Sequence, residues 1–410
     1  MSLLALPPEL LSSILELACV SSDPSSALRF SLVHPTLTPL AQLLLWRDVL
    51  LTSERQIDST RLSPALERHG GHIRRLLFIP LDGDGGARGG VGRGIGTADT
   101  IGGEGATKLL KELKELWEQE QENGGGGTGI EELDIAYVDR FGLEVLEGEW
   151  LSGLRRLTVG TSFLLPIQRP PRPFTFSFRL ASLSLHNNHW QSLAPELLRA
   201  LLTPCAPRAE LGEMEGSLQH LDLSATYDVD SFDPFLDPLS AVPYGEEDFN
   251  TSPPTVLSSL RTLRLPPFET SSHLSFAVSA LSSCSAAHLF YIELPPLSAA
   301  TSGAYDVLWA VLADLLSAGG VREVGLRGWP TSALVETARA VLAAAGMDTM
   351  PPTSLGAEAQ RTGLRKLRFK RLLAVEEIGK VRPGGADLLE QAEAYGLEVA
   401  CGDRGEAEEE

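Results

Sequence analysis

The sequence predicts an α/β fold in which short parallel strands alternate with helices, preceded by a small all-helical module. Three observations lead to this prediction. A hydrophobic phrase, apolar-x-x-apolar-x-apolar, returns nine times between residues 73 and 369. Helix-like stretches such as 195–202, 305–316 and 334–342 lie between its copies. A compact leucine-rich block occupies the first fifty residues.

The leucine-rich block has the pattern of three short helices. Pro7 and Pro8 suit the first turn of a helix, where the N–H groups that they lack would have no partner. Leu10, Leu11 and Ile14 then recur at helical spacing, and two further apolar stretches follow. A segment this short rarely buries enough apolar surface to fold alone. We therefore expect the block to dock against a partner.

Four phrases of this block point to a known family. They are Leu6-Pro7-x-Glu9-Leu10-Leu11-x-x-Ile14, Ser31-Leu32-Val33, Leu40-Ala41 and Leu45-Trp46-Arg47. Over residues 5–50 the chain resembles an F-box, with Leu37 where many F-boxes carry tryptophan. The resemblance implies binding to the Skp adaptor of cullin-RING ubiquitin ligases and, through it, to a cullin. The implied adaptor-binding residues are Leu6, Pro7, Leu10, Leu11, Ile14, Leu32, Val33, Leu40, Leu45 and Trp46. A plain helical cap on the next domain is the alternative, because repeat arrays need capped ends.

The recurring phrase organises the rest of the chain. Its copies span residues 73–78, 130–135, 154–159, 180–185, 218–223, 260–265, 289–294, 321–326 and 364–369. It resembles the core of leucine-rich repeats, which implies irregular repeats stacked into a horseshoe with a parallel sheet inside and helices outside. An ordinary βαβ sheet is the alternative, since buried parallel strands also read as short apolar runs.

Side-chain alternation along these strands predicts a recognition surface. The apolar positions of each phrase should face the helices, which leaves the polar positions on the opposite face of the sheet. Several of these polar residues are basic, and we expect them to bind an acidic or phosphorylated segment of a target protein. The predicted target-binding residues are Arg264, Arg327, Lys366, Arg368 and Lys370. Simple solvation of an exposed strand face is the alternative.

The predicted organisation is one small module and one long domain. Residues 1–55 form the helical docking module, and residues 56–405 form the repeat domain. Within the repeat domain, residues 82–106 are so rich in glycine that ordering them would cost too much backbone entropy, so we expect disorder there. Residues 225–255 are rich in aspartate, glutamate and proline, which predicts a solvated acidic loop.

Composition and missing motifs exclude several function classes. The net charge of −20 disfavours nucleic acid, whose binding depends on lysine and arginine neutralising phosphates. The four cysteines form no C-x-x-C pair, and no metal-ligand spacing or hydrolase motif occurs. The sequence predicts no enzyme, no cofactor, no metal site and no membrane segment. We expect a cytoplasmic or nuclear protein that recognises substrates for a ubiquitin ligase, with a repeat scaffold lacking any ligase role as the alternative.

Overall fold

The computed structural model describes part of the chain, as two compact units formed by residues 1–179 and 180–410. Within them the structure describes residues 7, 10–11, 14–15, 29, 32, 34–35, 37–57, 62–79, 101–122, 129–139, 141–160, 174–186, 195–207, 216–226, 235, 256–268, 271–295, 305–328, 331–347, 363–370, 375–382 and 384–402. All structural statements below concern these residues.

The first unit combines the N-terminal helices with a parallel sheet. Its elements are α1 (Thr38–Arg47), β1 (Asp48–Leu51), α2 (Glu54–Ile57), α3 (Leu62–His69), β2 (Arg75–Phe78), β3 (Ile101–Gly102), α4 (Gly103–Glu122), β4 (Glu132–Ile135), β5 (Val138–Asp139) and β6 (Arg156–Val159). The parallel sheet has the order β1-β2-β4-β6, and β3 pairs with β5 separately. Residues 10, 11, 14, 15, 29 and 32 are also helical.

The second unit repeats the strand and helix alternation. Its elements are β7 (Ser182–His186), α5 (Pro195–Leu202), β8 (His220–Ala225), β9 (Thr262–Arg264), α6 (Ser271–Ser283), β10 (Tyr291–Leu294), α7 (Asp306–Ser317), β11 (Glu323–Leu326), α8 (Thr331–Ala344), β12 (Lys366–Phe369), α9 (Val375–Gly379), α10 (Gly385–Ala394) and β13 (Glu398–Cys401). Strands β7 to β13 pair in chain order, all parallel. Helix α6 packs on α7, α7 on α8, and α8 on α10.

The α/β prediction is confirmed, because each of the nine hydrophobic phrases contains one strand of a parallel sheet. The first and fourth positions of a phrase differ in their roles. The first apolar residue precedes the strand, and the fourth lies within it, as Leu180 and Leu183 show. The finer identification as a leucine-rich-repeat horseshoe stays a prediction.

The strand register aligns the apolar residues into one continuous row. In the second unit this row consists of Leu183, Leu221, Leu263, Ile292, Val324, Leu367 and Val399. All of its members except the last are fully buried. Burial of each such side chain contributes about 1.5–3 kcal/mol. A one-residue slip would move the whole row to the opposite face, so the row fixes the register.

Apolar residues recur at helical spacing from Thr107 to Glu122, and helix α4 contains this stretch but begins four residues earlier, at Gly103. Its inward leucines include Leu109, Leu110 and Leu113, which are buried. The disordered insertion expected over residues 82–106 is therefore too long at its C-terminal end, because 101–106 belong to β3 and α4. Residues at the start of the helix are buried, and the stability that this burial supplies cannot be deduced from the glycine content of the sequence. Residues 82–100 lie outside the described part of the chain.

The division into residues 1–55 and 56–405 stays a prediction, but the leucine-rich block does not stand apart from the strands. The helix that ends the leucine-rich block, α1, continues directly into strand β1, which pairs along its length with β2. The helical block is therefore joined to the first sheet by backbone hydrogen bonds. Sequence reasoning missed β1 because Asp48–Leu51 does not carry the repeated phrase. The compact units instead divide after residue 179.

Most of the acidic loop predicted at residues 225–255 lies outside the described residues. Its beginning belongs to the fold, since Ala225 ends β8 and the Thr226 hydroxyl donates to Leu185 O at 2.7 Å. Phe235 is fully buried, and its ring lies 5.9 Å from that of Phe276. At these positions the segment contributes to the core.

Tyr291 in β10 requires a glycine on the neighbouring strand. A methyl group built on Gly325 of β11 would lie only 2.1 Å from the Tyr291 hydroxyl oxygen. We predict that Gly325→Ala lowers the free energy of unfolding by about 1–3 kcal/mol, because a packed core tolerates added volume poorly. Urea denaturation measures this.

A matched control exists in the same unit. A methyl group on Gly379 would meet only Leu389 Cδ1, at 3.4 Å. Gly379→Ala should change the unfolding free energy by no more than about 0.5 kcal/mol. Equal stabilities of the two variants would contradict the packing argument.

Candidate functional site

The N-terminal helices have a small core of their own. Leu11, Leu15 and Leu37 are buried together, and Leu40 and Leu44 pack against them half-buried. Leu11 is only 6% exposed. The structure therefore places Leu11, an expected adaptor contact, in the module's own core, because the helical spacing that brings Leu11 and Leu15 together also turns them inward.

Other apolar residues of the same helices face outward. Leu10 is 52% exposed, Ile14 37% and Leu32 80%. Six large hydrophobic residues are exposed in the described part of the chain, and five of them lie between residues 10 and 50. The remaining one is Val307. Exposed apolar side chains are thus concentrated in the N-terminal segment, which is typical of an interaction surface.

The remaining expected adaptor contacts are placed unevenly. Pro7 is exposed, whereas Leu40, Leu45 and Trp46 are half-buried. The Trp46 ring stacks on the His69 imidazole, with centroids 5.1 Å apart. Leu6 and Val33 lie outside the described residues.

The polar face of the first sheet is a row of alternating charges. Asp48, Arg75, Glu132 and Arg156 are register partners on successive strands. Arg75 Nε lies 2.8 Å from Glu132 Oε2, and Arg156 Nε lies 2.9 Å from the same oxygen. Arg75 Nη1 is 3.9 Å from Asp48 Oδ2. Each charge is thus flanked by the opposite sign.

The strands of the second unit carry an equivalent row of charges. Asp222, Arg264 and Glu293 are register partners on β8, β9 and β10. Arg264 Nη1 lies 2.8 Å from Asp222 Oδ2, and Arg264 Nε lies 3.6 Å from Glu293 Oε2. Opposite charges directly across neighbouring strands stabilise a sheet, whereas like charges would destabilise it.

Glu293 is the centre of this polar face. Its side chain is 1% exposed, and the Tyr291 hydroxyl donates to Oε2 at 2.8 Å. Lys370 Nζ lies 3.4 Å from Oε2, and Arg327 Nη1 lies 3.7 Å from Oε1. Together with Arg264, three cations surround this carboxylate. A buried carboxylate needs such partners, because desolvation without them costs several kcal/mol.

Two of these cations reach across several strands. Lys370 follows β12 and contacts β10, while Arg327 follows β11 and donates to Ser224 Oγ of β8 at 2.6 Å. Strands β8 and β11 are three positions apart, about 14 Å in a flat sheet at normal spacing. An arginine side chain is only about half that long. The sheet therefore curves toward its polar face at these strands.

The last two expected target contacts differ in burial. Arg368 Nε donates to Glu323 Oε1 at 2.7 Å, and both side chains are buried. Lys366 Nζ lies 2.8 Å from Glu398 Oε1. The Lys366 side chain is 20% exposed and the Glu398 side chain is 62% exposed. The first is an internal ion pair, and the second lies toward the sheet's end.

The expected basic recognition surface stays a prediction, but its residues already have partners within the protein. All five residues predicted to bind a target, namely Arg264, Arg327, Lys366, Arg368 and Lys370, pair with carboxylates of the same sheet. The side chains of Arg368 and Lys370 are only 6% and 8% exposed. The sequence placed the cations on the correct face, but the register set carboxylates beside them. Aligning the phrases position by position could have revealed this charge pairing from the sequence. Asp222, Arg264 and Glu293 all occupy the fifth position of their phrases.

The charged row perturbs the ionisation of its members. Burial alone would raise the pKa of Asp222, but Arg264, His186 and hydrogen bonds from Ser224 together lower it to about 2. Burial raises the pKa of the Tyr291 hydroxyl well above its usual range, and Glu293 adds to the effect. At neutral pH Tyr291 is thus a hydrogen-bond donor and Asp222 a carboxylate.

The described residues include no group of three His, Cys, Asp or Glu side chains that could hold a metal ion. His186 Nε2 lies 2.6 Å from Ser184 Oγ on the same strand. No helix in the described part of the chain is long and apolar enough to cross a membrane.

Comparison with known proteins finds no matching family model, no similar curated protein and no similar solved structure.

Asp222 should make the protein acid-sensitive. A carboxylate whose pKa is lowered on folding stabilises the native state above its ordinary pKa of 3.8, and this stability is lost as the pH falls toward 2. We predict that wild type loses about 1 kcal/mol more unfolding free energy between pH 6 and pH 3 than Asp222→Asn. Urea denaturation at both pH values tests this, and parallel pH profiles would contradict it.

The buried pair of Arg368 and Glu323 should be a structural requirement. We predict that Arg368→Met lowers the unfolding free energy by about 3–5 kcal/mol, because Glu323 remains buried without its partner. Adding Glu323→Gln should recover part of the loss. Lys366→Met is the control, because breaking the more exposed pair with Glu398 should cost about 1 kcal/mol or less. Equal losses in Arg368→Met and Lys366→Met would contradict the assignment.

Proposed function

We propose that the protein is the substrate-recognition subunit of an SCF-type cullin-RING ubiquitin ligase. The N-terminal helices would bind a Skp-type adaptor, and a surface of the repeat units would bind a target protein. The single observation that supports this best is that Leu10, Ile14 and Leu32 are exposed on a segment that resembles an F-box. The protein would be a non-catalytic subunit of the complex.

Such a subunit acts by proximity. Holding a target beside a ubiquitin-charged enzyme raises its effective concentration there and converts a bimolecular encounter into an intramolecular one. The chemistry then takes place on another subunit. What this chain must supply is one surface for the adaptor and another for the target.

The exposed leucine and isoleucine side chains would contribute apolar surface to an adaptor contact. Complete burial of a leucine or isoleucine side chain contributes about 1.5–3 kcal/mol. Leu10, Ile14 and Leu32 are partly exposed in the free chain, so covering them would supply a few kcal/mol. The half-buried residues Leu40 and Leu45 would add to the rim of the contact.

The target-binding part of the proposal is narrower than the sequence implied. Arg264, Arg327 and Lys366 keep partly exposed side chains, so an acidic segment of a target can still approach them. Each is paired with a carboxylate, which lowers the gain from an added anion. The proposal places the protein in the cytoplasm or the nucleus, where this class of ligase works.

A repeat scaffold with no ligase role is the second candidate. One observation favours it, because Leu11, Leu15 and Leu37 bury each other and α1 continues into strand β1 of the sheet. A terminal cap of a repeat array would show the same features. The two candidates differ in what covers Leu10, Ile14 and Leu32.

Adaptor binding distinguishes these candidates. The combined variant Leu10→Ala, Ile14→Ala and Leu32→Ala should weaken binding to a purified Skp-type adaptor about 100-fold or more, because it removes most of the apolar surface that the adaptor would cover. The fold should be retained, since these side chains are already exposed. Calorimetry measures the affinity, and circular dichroism checks the fold.

Val307→Ala is the matched control. Val307 is also a large exposed hydrophobic residue, but it lies on α7 of the second unit. Its removal should change adaptor affinity by less than about twofold. A folded wild-type protein that does not bind the adaptor would refute the ligase proposal and favour the scaffold.

A further inference from the structure

Four successive strands of the second unit are preceded by a row of three arginines and one phenylalanine. Arg261, Phe290, Arg322 and Arg365 stand immediately before β9, β10, β11 and β12. Each N–H in this row donates to the carbonyl oxygen of the preceding member, at 2.8–2.9 Å. These four residues, the arginine row, are therefore neighbours across the sheet, at the usual strand spacing of about 4.8 Å.

The arginines of this row have no ionic partner among the described residues. Arg261, Arg322 and Arg365 are all exposed. None of them forms an ion pair or a side-chain hydrogen bond with another described residue. Arg322 lies over the half-buried Phe290 ring, with its Cζ atom 6.0 Å from the ring centroid. The row thus holds three guanidinium groups without a counter-charge beside one aromatic surface.

This arrangement departs from the charge pattern on the polar face of the same strands. In the row of Asp222, Arg264 and Glu293, neighbouring charges have opposite signs. Arg322 and Arg365 instead place like charges on the neighbouring strands β11 and β12. Like charges in such positions destabilise a sheet. A local cost of this kind in an otherwise consistent fold is expected at a functional site.

The same position of the phrase carries no such surplus in the first unit. There the second residue of the phrase is Arg74, Glu131 and Arg155 in turn. Arg74 Nη1 lies 3.2 Å from Glu131 Oε1. Arg155 Nη1 donates to the carbonyl oxygen of Arg179 at 3.4 Å. The phrase itself therefore does not require arginines without partners at this position.

We propose that the arginine row binds a phosphorylated segment of a partner protein. Arg322 and Arg365 stand on adjacent strands, so both guanidinium groups can donate to one phosphate. Arginine suits this role, because its planar fork matches phosphate oxygens bidentately. Phe290 supplies an apolar contact beside the phosphate. The local positive charge attracts an anion to a protein whose net charge is −20.

Arg261 predicts a second feature of the bound segment. It stands two strands away from Arg322, which is about 9.6 Å at normal strand spacing. In a polyproline II segment, side chains three residues apart lie on the same side and about 9.3 Å apart. A carboxylate three residues from the phosphorylated residue would therefore reach Arg261. An intervening apolar side chain would contact Phe290.

A phosphorylated segment fits this row better than nucleic acid does. A nucleic acid is a long polyanion, and the net charge of −20 opposes its approach beyond the row. A short segment with one phosphate and one carboxylate needs only the row itself. The two anions match the three arginines without extending over acidic surface.

This proposal does not depend on adaptor binding, because the arginine row uses none of the exposed N-terminal leucines. A ligase subunit would use the row for its target, and a scaffold would use it for its partner. Segment binding is measured without the adaptor. Failure of either proposal would therefore leave the other standing.

Labelled peptides test the row with the full chain. The first peptide carries phosphoserine and glutamate three residues apart, separated by proline and leucine. Fluorescence anisotropy at low salt should give a dissociation constant on the order of 10 μM. The same peptide with unmodified serine should bind at least about tenfold more weakly, because it lacks the phosphate charge.

Variants of the two adjacent arginines locate the phosphate. Arg322→Gln and Arg365→Gln should each weaken phosphopeptide binding about tenfold. Arg365→Lys should recover only part of this loss, because an ammonium group cannot make the bidentate contact. Arg155→Gln is the matched control, since Arg155 is an exposed arginine at the same phrase position in the first unit. It should stay within about twofold of wild type.

A third variant locates the carboxylate. Arg261→Gln should weaken the phosphopeptide that contains glutamate about threefold. It should leave unchanged the binding of a phosphopeptide with glutamine at that position. An equal effect on both phosphopeptides would contradict the assignment of Arg261 and overturn the predicted spacing.

Thermal melting distinguishes this role from a structural one. Helix α7 ends at Ser317, shortly before β11, and a cation can stabilise the negative end of a helix. If Arg322 had only that role, Arg322→Gln would lower the melting temperature. Under the proposal the melting temperature is kept or raised, because Arg365 loses a neighbour of like charge.

Selective loss of phosphopeptide binding in Arg322→Gln and Arg365→Gln, with Arg155→Gln unaffected, supports the proposal. Equal binding of the phosphorylated and unmodified peptides to wild type would overturn it. A lowered melting temperature of Arg322→Gln in a protein whose wild type does not bind the phosphopeptide would also overturn it. So would tighter binding of a short oligothymidine than of the phosphopeptide, because stacking on Phe290 would then indicate nucleic acid.

Discussion

The common register of the parallel strands is the constraint on which the rest of each sheet depends. In the second unit it aligns Leu183 through Val399 into an apolar row under the helices. The same alignment places Asp222, Arg264 and Glu293 side by side on the opposite face. Because side chains alternate along a strand, neither row can form without the other. Burial supplies the stability, and the charge pairs permit ionised side chains beside a dry core.

Glu293 shows how this constraint shapes the polar face. One carboxylate on β10 draws cations from β9 and from the segments after β11 and β12. The two longer contacts are possible only where the sheet curves toward this face, so charge pairing and curvature support each other. The five cations that were expected to bind a target therefore already pair with carboxylates of the protein.

The N-terminal helices contain two kinds of apolar residue. Leu11, Leu15 and Leu37 form a small core of their own. Leu10, Ile14 and Leu32 are exposed in the same segment. A helix whose core-facing residues are already buried gains nothing in stability from further apolar residues that face solvent. These exposed side chains are therefore the feature on which the proposed adaptor contact rests.

The sequence by itself determined the α/β class, the position of nine strands and the inward face of helix α4, because these depend on local hydrophobic periodicity. It also assigned the charged residues to the correct face of the sheet. Only the tertiary structure decided how those charges pair, since Arg368 meets Glu323 from a strand more than forty residues earlier. Strand β1 and the burial of Leu11 against Leu37 were likewise hidden, because each depends on a neighbour distant in sequence. Local pattern fixes which way a side chain points, and the fold fixes what it meets.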